Sequence, residues 1–164
     1  MKVQRISARL LKDLLRVPPS RNGSVEYRPC RVTLMDGRVL DHVVLAEAEP
    51  YFVYWGVWPD EDPGKKWIPI EEVEALEESP VRLPPRLADK MYEAGESGMG
   101  YCIFTLTLSD RRTFACLTGN LVDFPFLPEG VGSGMIVDLL PHAGREEGPR
   151  RGPDYFWCLY SSSG

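Results

Sequence analysis

Histidine and cysteine, the side chains that most often carry metal and nucleophilic chemistry, are scarce in this sequence. The 164 residues include two histidines, His42 and His142, and four cysteines. No cysteine lies within three positions of another, which excludes the spacing of zinc ribbons and thioredoxin-type motifs. We therefore expect no metal and no cofactor. The even number of cysteines would allow two disulfides, but we expect four reduced thiols.

Long apolar runs are absent as well. No run comes near the ~18 residues that a helix needs to cross a bilayer. The first residues of the chain also lack the apolar core of a signal peptide. We therefore expect a cytoplasmic protein without a membrane partner. The hydrophobic content of 43% is nevertheless high enough for a buried core.

The sequence has no excess of positive charge. It contains 19 Lys and Arg against 24 Asp and Glu, a net charge of −5, which argues against nucleic acid as the partner. The charge is uneven: residues 1–38 carry nine basic and three acidic side chains, and residues 39–79 carry two basic and eleven acidic. The acidic middle region suits a basic partner that is steered electrostatically. The alternative is that these charges are merely solvated or neutralise one another in the fold.

Glycine and proline are abundant, with 15 residues of each, and predict many turns and short strands. In the first half, the spacing of apolar residues predicts a helix over 3–16. Asp36-Gly37 lies between two apolar runs and predicts a tight two-residue hairpin turn, in which the glycine supplies a positive φ. The aromatic run over 51–58 predicts a third strand, whose side chains alternate between two faces.

The second half of the chain has the same order of predicted elements: a helix, a glycine-rich loop and two strands around an Asp turn. A shift of 74 residues places the Asp36 turn on the Asp110 turn. A shift of 63 residues then places Val73 on Ile136. This agreement in pattern predicts an internal duplication.

The predicted organisation is a first unit over 1–79, a second similar unit over 80–142, and a linker with a C-terminal edge strand over 143–164. We expect this tail strand to extend the second unit. The predicted fold class is α+β, mainly antiparallel β, with two similar units that each combine a helix with a bent sheet. The two units are expected to pack together, because a unit of ~60–80 residues buries little core by itself.

The hairpin over 32–40 and the closing segment over 67–73 give the first unit a resemblance to the SH3-like and Sm-like small barrels. The similar stretch covers about residues 28–78 and, more faintly, 101–140. The resemblance implies a strongly bent, five-stranded antiparallel sheet. It implies no particular function, because one small fold serves many functions.

The candidate binding site lies in the aromatic and acidic part of the first unit. Trp and Tyr are favoured at interface hot spots, and carboxylates attract a basic partner. We therefore predict a non-enzymatic binding protein, inhibitor- or immunity-like by analogy, that meets a protein partner through residues 51–78. The candidate contacts are Tyr54, Trp55, Trp58, Asp60, Glu61, Asp62, Trp67, Glu71 and Glu74. The alternative for the aromatic members is burial in the core.

Two other function classes stay open from sequence. An Sm-like nucleic-acid-binding protein would need a continuous basic face. An enzyme of unknown type would need His42 or His142 in a pocket beside a cysteine or a carboxylate. The loop 95–100 is not a nucleophile elbow, because residue 99 is Met. The same loop precedes a strand, whereas a dinucleotide-binding loop precedes a helix.

Overall fold

The computed structural model describes residues 1–163, which contain mixed α and β structure with strands predominating. The three α-helices of this region are α1 (Ala8–Leu14), α2 (Ala48–Trp55) and α3 (Pro85–Ala94). Its strands are β1 (Ser20–Asn22), β2 (Val25–Leu34), β3 (Val39–Glu47), β4 (Lys66–Trp67), β5 (Val73–Glu78), β6 (Cys102–Leu108), β7 (Thr113–Thr118), β8 (Ile136–Pro141), β9 (Arg150–Arg151) and β10 (Phe156–Tyr160). Short 3₁₀ turns span Pro59–Glu61, Ile70–Glu72, Ser133–Met135 and Arg145–Glu147. Within residues 1–163, no helix combines the length and the apolar character required to cross a membrane.

The chain forms two compact units. Unit 1 comprises residues 1–19, residues 23–79 and the segment from Tyr155 onward, and unit 2 comprises residues 20–22 and 80–154. Each unit has its own sheet and its own hydrophobic core. All four cysteines are buried, and no disulfide joins them within the described chain.

The sheet of unit 1 has the strand order β5-β2-β3-β10-β4. β2 and β3 form an antiparallel hairpin, and β5 pairs antiparallel with the other side of β2. β10 lies between β3 and β4 and is parallel to both. The sheet is therefore open and mixed, and across the described residues it does not close into a barrel.

The turn between β2 and β3 has the predicted positive φ at its glycine, but its loop has three residues rather than two, because the Leu34 N–H donates to the Arg38 carbonyl at 2.9 Å. Gly37 has φ +89°, and its N–H donates to the Leu34 carbonyl at 2.9 Å. The Asp36 carboxylate accepts hydrogen bonds from the backbone N–H and from Nε of Arg38, at 3.0 and 2.8 Å. These hydrogen bonds lower the pKa of Asp36, because they favour the ionised carboxylate.

Helix α1 is shorter than the predicted helix over 3–16. It begins after Ser7, whose hydroxyl accepts from the Leu10 N–H at 3.2 Å and so caps the first turn. Arg5 lies outside the helix and forms a parallel bridge with Ser161. The apolar stripe still faces the core, since Leu10 and Leu14 are buried. The prediction overran because the same stripe continues into the extended segment that precedes the cap.

The prediction of a strand over the aromatic run 51–58 is wrong, because residues 48–55 form helix α2. Gly56 ends the helix in the left-handed conformation, with φ +73°. Pro50 is compatible with the helix because it lies in the first turn, where its missing N–H has no intrahelical partner. Tyr51 is fully buried, whereas Phe52, Val53 and Tyr54 are exposed. One side of the run therefore faces the core, as in a helix.

The prediction that the tail strand extends the second unit is also wrong. β10 lies inside the sheet of unit 1, with Phe156 opposite Val43 and Tyr160 opposite Glu47. It contributes the fully buried side chains of Trp157 and Cys158. The apolar pattern of a short strand does not specify which strand it pairs with. Here the strand that it pairs with, β3, lies far away in sequence.

Unit 2 contains a sheet in the order β8-β6-β7-β9. β8 pairs antiparallel with β6, and β9 pairs parallel with β7. The turn between β6 and β7 has Arg111 at φ +74°, in the place that Gly37 occupies in unit 1. Asp110 accepts from the backbone N–H and Nε of Arg112 at 3.0 and 2.8 Å. Over the described residues this sheet is open as well.

A buried polar cluster connects the loops of unit 2 to helix α3. Asp123 is fully buried, and it accepts hydrogen bonds from the hydroxyls of Ser20 and Tyr92. Burial raises the pKa of this carboxyl. The Tyr92 hydroxyl also accepts from the Val122 N–H at 3.1 Å. Hydrogen bonds of this kind hold the loop after β7 against the helix.

The two turns predict opposite effects of a glycine exchange. Arg111→Gly should stabilise the protein by about 1 kcal/mol, because glycine adopts a positive φ without the steric cost of a Cβ. Gly37→Arg should destabilise it by a similar amount, and no heavy atom lies within 4 Å of the Cβ position to add a clash. Urea denaturation of both variants measures the two changes. Equal midpoints for wild type and Arg111→Gly would contradict the expected strain.

The position of β10 predicts that the tail is required for unit 1. Truncation after Asp154 removes β10, which pairs with β4 and with the side of β3 that faces away from β2, and it removes the buried Trp157. Hydrogen exchange should then show loss of amide protection in Val43–Glu47. Removal of the last two residues alone is the control and should leave this protection unchanged. Protection that persists in β3 after the larger truncation would contradict the central position of β10 in the sheet.

Candidate functional site

All nine predicted contact residues lie in unit 1, in five separate structural settings. Tyr54, Trp55 and Trp58 belong to the end of α2 and the segment after it. Asp60, Glu61 and Asp62 lie in and just after the 3₁₀ turn that follows. Trp67 lies on β4, Glu71 on the next 3₁₀ turn and Glu74 on β5.

The first feature is an aromatic cage at the inner side of α2, formed by Tyr51, Trp55 and Trp157. The Trp157 ring meets Tyr51 and Trp55 edge-on, with ring centroids 5.0 and 5.7 Å apart. The Trp55 indole N–H donates to the Tyr27 hydroxyl at 3.2 Å, which fixes its orientation. Tyr54 meets the outer side of Trp55 edge-on at 5.5 Å. Trp55 is thus a wall of this cluster, half-buried rather than free on the surface.

Lys65 occupies the aromatic cage. Its ammonium lies 3.8 Å from the Trp55 ring centroid, 5.3 Å from that of Tyr51 and 5.6 Å from that of Trp157. It donates to the Tyr51 hydroxyl at 2.9 Å and pairs with the Asp62 carboxylate at 3.0 Å. Burial lowers the pKa of Lys65, although Asp62 opposes the shift. The cage therefore binds a cation through ring faces, a hydroxyl and a carboxylate together.

The second feature is an apolar groove on the outer side of α2, with a volume of about 560 Å³. Its walls include Phe52, Val53 and Trp58, and the rings of Phe52 and Trp58 stack with centroids 4.4 Å apart. Glu47 and Glu49 line it too, and the Met1 ammonium, the cation of its described lining, lies 3.7 Å from the Asp60 carboxylate. Ser162 donates its hydroxyl hydrogen bond to Glu47. The groove thus combines exposed apolar surface with negative charge.

The remaining predicted contacts lie apart from one another. Trp67 is 41% exposed and lines a small crevice together with Glu71. Asp60 lies 3.7 Å from the ammonium of Met1, which lines both the crevice and the groove. Glu61 is exposed. Glu74 is exposed on β5, lines neither depression, and its carbonyl oxygen accepts from Arg9 at 2.7 Å.

Of the described groove residues, only Trp58 was among the predicted contacts, and the residues that were missed include Phe52, Val53, Glu47 and Glu49. The missed signal is helical spacing, since the inward-facing Ala48, Tyr51 and Trp55 are separated by three and four positions. Reading the run as a strand assigned alternate residues to each face, which separated Phe52 from Val53. In the helix these two adjacent residues are both exposed, 39% and 75% respectively.

Unit 2 contains a separate depression of about 680 Å³. Phe114 and Phe126 meet edge-on within it at 6.5 Å, and the Arg150 guanidinium lies 5.0 Å from the Phe126 ring centroid. Arg112 and two glutamates complete the charged part of its lining. Because the lining carries charges of both signs, it favours no ligand of one particular charge. This depression is therefore a weaker candidate binding site than the groove of unit 1.

A contact between Ser97 and His142 bears on the alternative that the protein is an enzyme. The Ser97 hydroxyl lies 2.8 Å from Nδ1 of His142, and Nε2 lies 3.2 Å from the Ala94 carbonyl. The same hydroxyl accepts from the Ile103 N–H at 2.7 Å. These hydrogen bonds hold the glycine-rich loop against the start of β6. The contact between Ser97 and His142 therefore has a structural role in this loop. His42 is half-buried on β3, and burial lowers its pKa.

Several basic side chains of residues 1–38 are paired with carboxylates. Nε of Arg31 lies 2.5 Å from Oδ1 of Asp41, and Nε of Arg38 lies 2.8 Å from Oδ2 of Asp36. Arg28 donates to the Val17 carbonyl at 2.5 Å. Within residues 1–163, no group of three or more His, Cys, Asp or Glu side chains is placed to hold a metal ion.

The chain matches no protein-family model, no curated protein and no solved structure. The candidate site therefore rests on its own geometry.

Two neighbouring aromatic residues of α2 should respond differently to truncation. Trp55→Ala should destabilise the protein by about 3 kcal/mol, because it removes a half-buried ring from the cage together with its hydrogen bond to Tyr27. Tyr54→Ala, the matched control, should change stability by less than about 1 kcal/mol, since that side chain is 47% exposed. Chemical denaturation compares the two variants. Equal losses would contradict the division of α2 into an inner and an outer side.

Proposed function

We propose that unit 1 is a protein-binding module, and that its groove receives a basic peptide segment with an apolar anchor residue. The observation that carries this proposal is the run of three adjacent, exposed apolar or aromatic residues on α2, Phe52, Val53 and Tyr54. Single exposed apolar residues are common, but a contiguous exposed patch beside a concave groove marks interaction surfaces.

Electrostatics support a basic segment as the occupant. Glu47 and Glu49 lie in the groove wall, and the charge of residues 39–79 is strongly negative. A cationic side chain next to the anchor would meet these carboxylates, and the wider acidic field would steer the partner during approach. A negatively charged nucleic-acid backbone would be repelled by the same groups.

The shape of the groove supports an aromatic or branched aliphatic anchor. The stacked rings of Phe52 and Trp58 form a flat apolar wall, and Ala48 lines the groove together with them. Large apolar side chains gain most from such burial, roughly 25 cal/mol per Å² of apolar surface. The glutamates at the groove would then favour sequences with Lys or Arg near the anchor. No enzymatic step is needed for this role.

We also propose that the two units are copies of one ancestral unit. The pairs Val32–Leu76 in unit 1 and Leu106–Leu139 in unit 2 occupy corresponding ladder positions under the shifts of 74 and 63 residues. Both ladders shift register just before the turn, and in both sheets a parallel strand follows the hairpin. An experimental structure would test the proposal by superposition of residues 28–78 on 101–140. Different strand paths in the two halves would contradict it.

An array of soluble peptides tests the binding proposal directly. Each peptide carries one Trp, Leu or Ala at its centre, flanked by either Lys or Glu. Peptides with a large apolar centre and Lys flanks should bind most tightly, and the affinity should fall as salt rises. Val53→Asp should weaken binding at least tenfold by placing an unpaired charge in the groove. Replacement of Glu49 by Gln should mainly slow association.

The control variant for this experiment is Leu140→Asp, which changes an equally simple exposed apolar residue of unit 2, 60% exposed. It should leave peptide binding unchanged. Binding that is indifferent to the central residue, or that is lost equally in both Asp variants, would exclude the groove as the binding site.

A further inference from the structure

The aromatic cage is a complete ammonium site whose occupant belongs to the same chain. Three ring faces surround the Lys65 ammonium, a hydroxyl accepts one of its hydrogen bonds, and the Asp62 carboxylate neutralises its charge. Recognition of ammonium groups in proteins uses this combination of aromatic faces and a nearby acid. The cage lies on the inner side of α2 and is distinct from the groove.

We propose that the cage is a binding site for a primary alkylammonium group, such as a lysine side chain of a partner, and that Lys65 is a displaceable gate. The chemical class follows from the occupant: the cage hydrogen-bonds a primary ammonium through Tyr51 and Asp62, which a quaternary ammonium could not reproduce. This inference goes beyond the proposed groove and does not depend on it.

The loop that carries Lys65 has the properties required of a gate. Lys65 and Asp62 are three positions apart, so the ammonium and its counter-charge lie on one short segment. Gly64, between them, has φ +88° with no heavy atom within 4 Å of its Cβ position, and Pro63 and Gly64 are exposed. The next residue, Lys66, is held in β4 by its pairing with Phe156 of β10, so the gate opens by rotation of the Lys65 side chain while Asp62 stays in place.

The walls of the cage, in contrast, are fixed. Tyr51 and Trp157 are fully buried, and Trp55 is held by its hydrogen bond to Tyr27. Loss of Lys65 would leave ring faces and a buried hydroxyl without a partner, which is unfavourable. A second ammonium can restore these contacts. Lys65 and an external ammonium cannot occupy the cage together, so binding must be competitive.

Competition with a tethered side chain determines the expected affinities. A tethered group acts at a high effective concentration, so wild type should bind an external ammonium weakly. Lys65→Ala empties the cage and should bind at least tenfold more tightly. Lys65→Met, the matched control, fills the cage with an uncharged chain of similar length and should bind no ammonium.

The experiment titrates wild type, Lys65→Ala and Lys65→Met with n-butylammonium chloride, and follows the indole N–H resonances of Trp55 and Trp157 by NMR. n-Butanol and sodium chloride separate cation binding from cavity filling and from salt effects. A short capped peptide with one central lysine replaces butylammonium in a second series. Equal or tighter binding of the peptide assigns the site to a protein lysine, and binding of the free amine alone assigns it to a small amine.

The proposal predicts saturable shifts at the Trp55 resonance in Lys65→Ala, weaker saturable shifts in wild type and none in Lys65→Met. Equal responses to n-butanol and butylammonium would overturn the cation site. A wild-type protein that shows no saturable response would overturn the gate, because Lys65 would then be a permanent part of the core. If Lys65→Ala does not fold, the comparison of wild type with Lys65→Met still decides the matter.

Discussion

The parallel pairing of β10 with β3 is the interaction on which the rest of unit 1 depends. It places Trp157 in the core, where the ring contacts Tyr27, Tyr51, Trp55 and Tyr155. Helix α2 packs its inner side against this ring. Because the inner side is thereby determined, the outer side is determined as well, and with it the groove. The same ring forms part of the cage that holds Lys65.

Helix α2 uses aromatic residues on both of its sides, which explains why the aromatic run is so dense. The inner residues are needed for packing, since unit 1 closes only a small core and gains from large rings. The outer residues are not needed for packing, yet Phe52, Val53 and Tyr54 remain apolar or aromatic and exposed. This surplus of exposed apolar surface, next to carboxylates, supports the proposed binding function.

The electrostatics of the protein are organised locally rather than across a face. At both hairpin turns an Asp binds the Arg two positions later, and in the cage Asp62 neutralises Lys65. Exposed pairs such as those in the turns contribute little to stability, since water screens them. The carboxylates outside such pairs are therefore more informative: in the groove, Glu47 accepts from the Ser162 hydroxyl, and among the described residues no ion pair holds Glu49.

What the sequence by itself determined are the features that depend on neighbouring residues. The Asp36-Gly37 turn, the β2–β3 and β6–β7 hairpins and helix α3 follow from local turn chemistry and capping. The helix over the aromatic run was in principle readable too, from the spacing of its inner residues and from Gly56, but its β-prone composition favoured a strand.

Only the tertiary structure decided where the tail strand pairs, which side of α2 is covered and which residues meet at the groove and the cage. β10 pairs with residues more than a hundred positions earlier, and no local signal encodes such a partner. The sequence likewise contains no pattern that indicates the role of Lys65, because the cage is assembled from a helix, a loop and the C-terminal strand. Local patterns determine the elements of this protein, and long-range burial determines which of them meet.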